Sequence, residues 1–148
     1  MLKQKIHARY LQLVNDKIDV FRDMISGLAD DAQSDAKGSA GDKHETGLSM
    51  MHLEQEKLSF KLRECLEQKA VLDKIDPNSG HSRIGIGSLV KANGILFFVS
   101  LALPKIAVDG TTILALSPNS PLGSKLMSQA VGFTFEINGT SYEIQEIN

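Results

Sequence analysis

The stretch Ser34-Asp35-Ala36-Lys37-Gly38-Ser39-Ala40-Gly41 decides the fold, because it separates two long segments that each carry a hydrophobic repeat. Its small residues and two glycines predict a turn. In the segment before it, apolar residues recur at alternating spacings of three and four, as in the a/d seam of a coiled coil. The seam residues are Leu11, Val14, Ile18, Phe21, Ile25 and Leu28.

The segment after the turn carries the same repeat. Its seam residues are Met51, Leu58, Leu62, Cys65 and Leu72, with Gln55 and Lys69 at polar seam positions and Leu48 and Leu66 widening the stripe. Two helices joined by a short loop pack antiparallel, so the two seams bury each other within one chain. A parallel homodimer would leave the turn unexplained. Cys65 falls on the seam, which favours a packing role over a catalytic one.

The stretch Asp76-Pro77-Asn78-Ser79-Gly80 ends the second segment, because Pro77 cannot continue a helix. We therefore expect an antiparallel coiled-coil hairpin over residues 1–76 with its tip near 38–47, a linker over 77–83 and a second domain over 84–148. The charge distribution agrees with this division. Residues 1–76 hold 12 of the 16 Lys and Arg and 14 of the 18 Asp and Glu, which indicates two different architectures.

The second half predicts strands and one short helix. Asn93-Gly94, Asp109-Gly110 and Asn138-Gly139 each separate two strand-like segments, and such dipeptides favour tight hairpins. Ser120-Pro121 predicts a helix N-cap followed by proline at the first helical position. The fold class is therefore α+β, with a small antiparallel sheet covered by one helix. A core of this size is marginal by itself, so we expect it to dock on the base of the coil.

Composition narrows the functional classes. A net charge of -2 argues against a protein that coats nucleic acid, and we expect no sequence-specific DNA binding. The single cysteine excludes an intrachain disulfide and fits a reducing compartment. No signal peptide and no run of about 18 apolar residues is present, so the prediction is a cytoplasmic protein outside the membrane. His7, His52 and His81 lack metal-ligand spacing and are expected at the surface.

The segment Gly41-Asp42-Lys43-His44-Glu45-Thr46-Gly47 begins the second helix of the expected hairpin. Asp42 and Glu45 are three residues apart, which is the spacing of a capping box, and both acids suit a positive helix N-terminus. The same spacing puts both carboxylates on one helical face, where they can offer oxygens to Mg²⁺. Both hypotheses remain open, because a capping carboxylate retains free oxygens. His44 with two acids is a weak basis for a zinc site.

Three neighbouring residues have weaker functional assignments. Asp35, on the opposite side of the turn, is a weaker candidate for the same metal. Lys37 and Lys43 have two possible roles, contact with RNA phosphates or simple solvation.

Two motifs resemble the bacterial Gre transcript-cleavage factor family (GreA and GreB). The first is Gly41-Asp42-Lys43-His44-Glu45 at the bend, and the second is Ser120-Pro121-Leu122-Gly123-Ser124-Lys125-Leu126-Met127 followed by Val131-Gly132-Phe133. The resemblance covers the whole chain. It implies an FKBP-like C-terminal domain that binds the rim of the secondary channel of RNA polymerase. It also makes Ser120, Pro121 and Leu122 candidate partner-binding residues.

The resemblance further implies an accessory factor without enzymatic activity of its own. Asp42 and Glu45 would share a Mg²⁺ ion with the polymerase, contact the 3′ end of the nascent RNA transiently and stimulate transcript cleavage in backtracked complexes. No tightly bound cofactor is expected, and the protein is expected to be a monomer.

The sequence departs from the family pattern in two places. Thr46-Gly47-Leu48-Ser49 stands where the family has Asn-Ala-Glu-Tyr, and Phe133 stands where it has Asp. One alternative is therefore a secondary-channel regulator that does not stimulate cleavage. Another is a generic coiled-coil adaptor or chaperone-like binding protein.

Overall fold

In the computed structural model, the chain is described over residues 2–38 and 42–148, and its side chains over 2–31 and 47–148. The helices are α1 (Leu2–Gly38), α2 (Asp42–Asp73) and α3 (Pro121–Leu126). The strands are β1 (Leu89–Ala92), β2 (Ile95–Val99), β3 (Ile106–Val108), β4 (Thr111–Leu116), β5 (Thr134–Ile137) and β6 (Thr140–Ile147). The predicted α+β class is confirmed. None of the described helices has an apolar segment long enough to cross a bilayer.

The chain divides into two compact units. One comprises Met1–Leu11 together with Ala70–Asn148, and the other comprises Gln12–Lys69. The first turns of α1 and the last turn of α2 therefore belong to the same unit as the sheet. The segment 77–83, expected to be a linker, also lies within this unit.

The unit of residues 12–69 is a helical hairpin in which α1 and α2 pack together. Val14, Ile18, Leu58 and Cys65 are buried, and the other predicted seam residues of this unit are at least partly buried. The heptad prediction is thus confirmed. Leu66 is an exception, because 38% of it is exposed and it lies outside the packed stripe.

Helix α1 is longer than the sequence predicts. It continues to Gly38, five residues into the segment 34–41 that was expected to form the turn. No proline interrupts this segment, and Ala36 and Lys37 are good helix formers. The helix therefore continues to Gly38, the first glycine of the segment. The rest of the predicted turn, residues 39–41, lies outside the described residues.

The six strands form one sheet in the order β3-β4-β2-β1-β6-β5. The three neighbouring pairs β1–β2, β3–β4 and β5–β6 are antiparallel hairpins, as predicted. Strands β2 and β4 run parallel, with Leu96 opposite Ile113, where an antiparallel sheet was expected. A parallel pair needs a crossover connection, and residues 100–110, which include β3, provide it.

The hairpin turns have the backbone conformation that their residues favour. Asn93, Asp109 and Asn138 have φ values of 52°, 51° and 52°. The glycine after each of them also has a positive φ. Two consecutive residues with positive φ define a type I′ turn, whose twist matches that of the flanking strands. These three dipeptides therefore set the register of all three hairpins.

One face of the sheet packs beneath α3. The core on this face contains Ile84, Val90, Ala92, Phe97, Val99, Leu116, Leu126 and Ile144. Alternate residues of a strand point to opposite faces, so Phe97 and Phe98 of β2 belong to different layers. Both are buried, because β2 lies between β4 and β1 in the interior of the sheet.

The opposite face of the sheet packs against the first turns of α1. The Tyr10 ring stacks on Phe98 with ring centroids 6.0 Å apart and an interplanar angle of 5°. The Tyr10 hydroxyl donates a hydrogen bond of 3.0 Å to the carbonyl of Pro104. Burial raises the pKa of Tyr10 to about 12. The expected docking of the sheet on the coil base is present.

His7 is buried, and the prediction that it lies at the surface was wrong. Its Nε2–H donates a hydrogen bond of 2.7 Å to the carbonyl oxygen of Leu72, near the end of α2. The same carbonyl also accepts a hydrogen bond of 3.1 Å from Ile75 N–H, so its two partners come from the chain just after α2 and from a side chain on α1. Ile6 and Leu72 are fully buried beside it.

Candidate functional site

Helix α2 begins at Asp42, within the segment 41–47 that was predicted to begin the second helix. Glu45 lies in the same first turn. Residues three apart on a helix lie on one face, and backbone N–H groups at a helix N-terminus favour negative charge. The backbone therefore brings the two predicted acids into one turn at the positive end of α2.

The side chains of Asp42 and Glu45 lie outside the described residues, as do those of Asp35, Lys37, Lys43 and His44. Capping and Mg²⁺ binding by the two acids both remain predictions. A pair of carboxylates on one helical turn fits Mg²⁺, which binds through one or two carboxylates and fills its other positions with water and phosphate oxygens. Among the residues with described side chains, no group of three or more His, Cys, Asp or Glu is arranged to hold a metal.

Ser120, Pro121 and Leu122 open helix α3. The Ser120 hydroxyl oxygen accepts a hydrogen bond from Gly123 N–H at 3.0 Å and its hydroxyl donates to the Ser117 carbonyl at 2.7 Å, which confirms the predicted N-cap. Leu122 packs against the core. Pro121 is exposed. The role of these residues in partner binding remains a prediction, with the Pro121 ring as the most accessible of the three surfaces.

An apolar stripe on the outside of α2 was missed by the sequence analysis. Met50 and Leu53 are each 67% exposed, and Phe60 is 58% exposed. At 3.6 residues per turn, these three side chains lie within about 80° of one another around the helix. The buried seam residues Leu58 and Cys65 lie about 120–160° from Leu53 and Phe60 around the helix, and about 60–80° from Met50. The spacing of Met50, Leu53 and Phe60 was visible in the sequence, but the stronger seam repeat masked it.

Ser88 and His81 form a contact that the sequence did not indicate. The Ser88 hydroxyl oxygen lies 2.8 Å from His81 Nδ1 and accepts a hydrogen bond of 2.9 Å from Gly85 N–H. Ser88 is fully buried, so its hydroxyl cannot meet a substrate. The pair fastens the loop over 81–88 and does not form a nucleophilic site.

Comparison of the chain with protein-family models gives no match, and comparison with curated proteins gives none either.

Proposed function

We propose that the chain is a cytoplasmic transcription elongation factor of the Gre type, which binds RNA polymerase and inserts its helical hairpin into the secondary channel. It would stimulate cleavage of the transcript in backtracked complexes. The observation that carries the proposal is the start of α2 at Asp42, which puts Asp42 and Glu45 together in the first helical turn after the bend. The likeness of the two sequence motifs to the Gre family supplies the partner.

The chemistry requires only two carboxylates from this chain. A polymerase holds one Mg²⁺ firmly, and a second ion about 4 Å away completes a two-metal centre. Asp42 and Glu45 would supply oxygens to that second ion, while phosphate oxygens of the nascent RNA and water fill its remaining positions. The polymerase performs the hydrolysis, so this chain acts as an accessory factor and not as an enzyme.

The sheet-containing unit would anchor the protein at the rim of the channel. Pro121 is exposed at the start of α3, and the cap made by Ser120 holds it in a fixed position. A rigid, exposed apolar ring is suited to a protein contact. The factor would act as a monomer and carry no metal when it is free.

The decisive experiment adds the protein to stalled, backtracked complexes of RNA polymerase from its own organism. The intact chain should shorten the transcript, and Asp42→Ala/Glu45→Ala should abolish the added cleavage while retaining polymerase binding. The matched control is Glu54→Ala/Glu56→Ala, which removes the same charge from exposed positions on the same helix. This variant should stimulate transcript cleavage as well as the intact chain does. Equal cleavage by the tip variant and the intact chain would eliminate the metal-sharing mechanism.

Inhibition of nucleotide addition without transcript shortening would instead favour a secondary-channel regulator. That outcome would agree with the departure from the Gre pattern at Thr46-Gly47-Leu48-Ser49.

The exposed apolar stripe of α2 favours a second candidate function, a coiled-coil adaptor that binds a partner protein along Met50, Leu53 and Phe60. In this alternative the acids at 42 and 45 serve only as helix caps. Leu53→Ser/Phe60→Ser would then abolish partner capture, whereas Asp42→Ala/Glu45→Ala would not. Purification without RNA polymerase subunits would support the adaptor.

A further inference from the structure

A cleft of about 610 Å³ lies in the unit formed by residues 1–11 and 70–148. Its walls are the first turn of α1, the turn over residues 77–80 and the sheet face that α1 covers. Small-molecule sites occupy about 300–1,000 Å³ and favour the boundaries between structural elements. The position and size of this cleft therefore suit a small ligand.

Lys3 is the unusual group in the cleft, because an ammonium ion seldom lies buried. The residue is 6% exposed, and Nζ donates a hydrogen bond of 2.7 Å to the carbonyl oxygen of Ser79. An ammonium group has three N–H donors, and a carbonyl oxygen carries no net charge. A cation removed from water requires further compensation of its charge.

The nearby Asp76 carboxylate compensates Lys3 only in part. Its oxygens accept hydrogen bonds from Asn78 N–H at 2.9 Å and from the Ser79 hydroxyl at 3.0 Å, both within its own turn. Burial lowers the pKa of Lys3, and the charge of Asp76 opposes that shift without overcoming it. The Lys3 ammonium thus has a neutral carbonyl as its hydrogen-bond acceptor, and the Asp76 charge offsets its burial only in part.

Among the described residues that line the cleft, the other charged side chains are those of Lys91 on β1 and Glu146 on β6, which lie opposite each other on neighbouring strands. Lys91 is half-buried and Glu146 is exposed. The described side chains of the lining therefore include two cations and one carboxylate. Glu146 lies opposite Lys91 on the neighbouring strand, so we take the buried Lys3 as the cation that a ligand would contact.

Three leucines form the apolar part of the lining. Leu89 is buried and Leu96 is half-buried, and both line the cleft together with Leu2 from the first turn of α1. An apolar wall beside a cation selects ligands that combine a hydrocarbon body with a negative group, since neither part alone satisfies both surfaces.

We propose that this cleft binds a small organic anion, with its carboxylate or phosphate on the Lys3 ammonium and its apolar body against Leu2, Leu89 and Leu96. A purely structural role, in which Lys3 only fastens the turn over residues 77–80 to α1, predicts no such binding.

The test is a titration of the isotope-labelled full chain, followed by the backbone amide resonances of Lys91, Gly94 and Leu96. The probes are hexanoate and phenyl phosphate, which separate a carboxylate site from a phosphate site, and hexanamide as the neutral analogue. We expect saturable shifts with at least one anion at millimolar concentration. Lys3→Met should weaken that binding by roughly tenfold to a hundredfold, whereas Lys3→Arg, which keeps the charge, should retain it.

Lys5→Met is the matched control. Lys5 lies two residues away on the same helix, is exposed and pairs with Asp109 at 2.8 Å. The variant removes the same charge and should leave the affinity unchanged. The proposal is overturned by an absence of saturable shifts with both anions, by equal binding of hexanamide, or by equal losses in Lys3→Met and Lys5→Met. If Lys3→Met does not fold, the hexanamide comparison on the intact chain decides.

Discussion

At the scale of single residues, Tyr10 makes stability depend on pH. Burial raises the pKa of its hydroxyl to about 12 in the folded chain, against about 10 when unfolded. The folded state thus holds the phenolic proton more tightly, and the stability that this supplies is complete below pH 10. It is lost as the pH rises through 12, because the folded state must then bury a phenolate.

We expect the free energy of unfolding to fall by about 1–2 kcal/mol between pH 9 and pH 11.5 through this one group. Urea denaturation at both pH values measures the change. Tyr10→Phe should flatten the dependence, and Tyr142→Phe should leave it in place. An identical pH dependence in Tyr10→Phe and the intact chain contradicts the assignment.

Two glycines predict opposite effects of the same substitution. A Cβ at Gly123 would lie 2.0 Å from the Ser117 carbonyl oxygen, whereas a Cβ at Gly27 in α1 would meet nothing within 4 Å. Gly123→Ala should therefore destabilise the chain by about 3 kcal/mol or more, because backbone must move. Gly27→Ala should stabilise it by about 0.5–1 kcal/mol, since alanine favours the helix. Thermal unfolding of the two variants tests both signs.

At the scale of secondary-structure elements, α2 has a packed side and an open side. Leu58 is 6% exposed and Phe60 is 58% exposed, although they are two residues apart. Leu58→Ala should destabilise the hairpin by about 2–4 kcal/mol. Phe60→Ala should change stability by about 0.5 kcal/mol or less. A large loss in Phe60→Ala, measured by urea denaturation, would indicate that the open side is covered in solution.

The elements themselves were largely predictable, because their signals are local. The seam from Val14 to Leu28 fixes α1, and Asn93-Gly94 fixes the hairpin of β1 and β2 through two positive φ angles. The parallel pairing of Leu96 with Ile113 was not predictable, because it depends on where a crossover returns and not on residues near either strand. Burial of His7 escaped prediction for the same reason, since its partner is the carbonyl of Leu72.

The candidate site shows the same division. The positions of Asp42 and Glu45 at the start of a helix follow from local spacing and agree with the backbone of α2. The Lys3 cleft joins residues from the first turn of α1, the 77–80 turn and four strands. The residues that line this cleft are far apart in the sequence. Only the folded unit brings Lys3 and the apolar wall together, so a local sequence pattern could not predict the cleft.

At the scale of the whole molecule, the unit that contains the sheet also contains the start of α1 and the end of α2. Tyr10 stacks on Phe98, and Ile6 and Leu72 are fully buried. A fragment of residues 84–148 lacks all three of these helical side chains and exposes one face of its sheet. We expect it to lack a cooperative unfolding transition and to bind a hydrophobic dye.

A shortened chain provides the control for this prediction. Replacing residues 29–51 by a glycine-rich linker keeps residues 1–28 and 52–148, and therefore keeps the helical cover of the sheet. This variant should unfold cooperatively and bind no dye. A fragment 84–148 that unfolds as cooperatively as the shortened chain would show that the helix ends are dispensable.

The reactivity of the Cys65 thiol reports how often the helical hairpin opens. It is the one cysteine of the sequence, its thiol is free, and it lies buried on the seam. A thiol reagent can reach the sulfur only when α1 and α2 separate. The alkylation rate of Cys65 therefore measures the frequency of this local opening, and no introduced label is needed. Leu58→Ala weakens the packing of the seam and should increase the alkylation rate of Cys65, whereas Phe60→Ala should leave that rate unchanged. A ligand that holds α1 and α2 together would prevent the alkylation of Cys65.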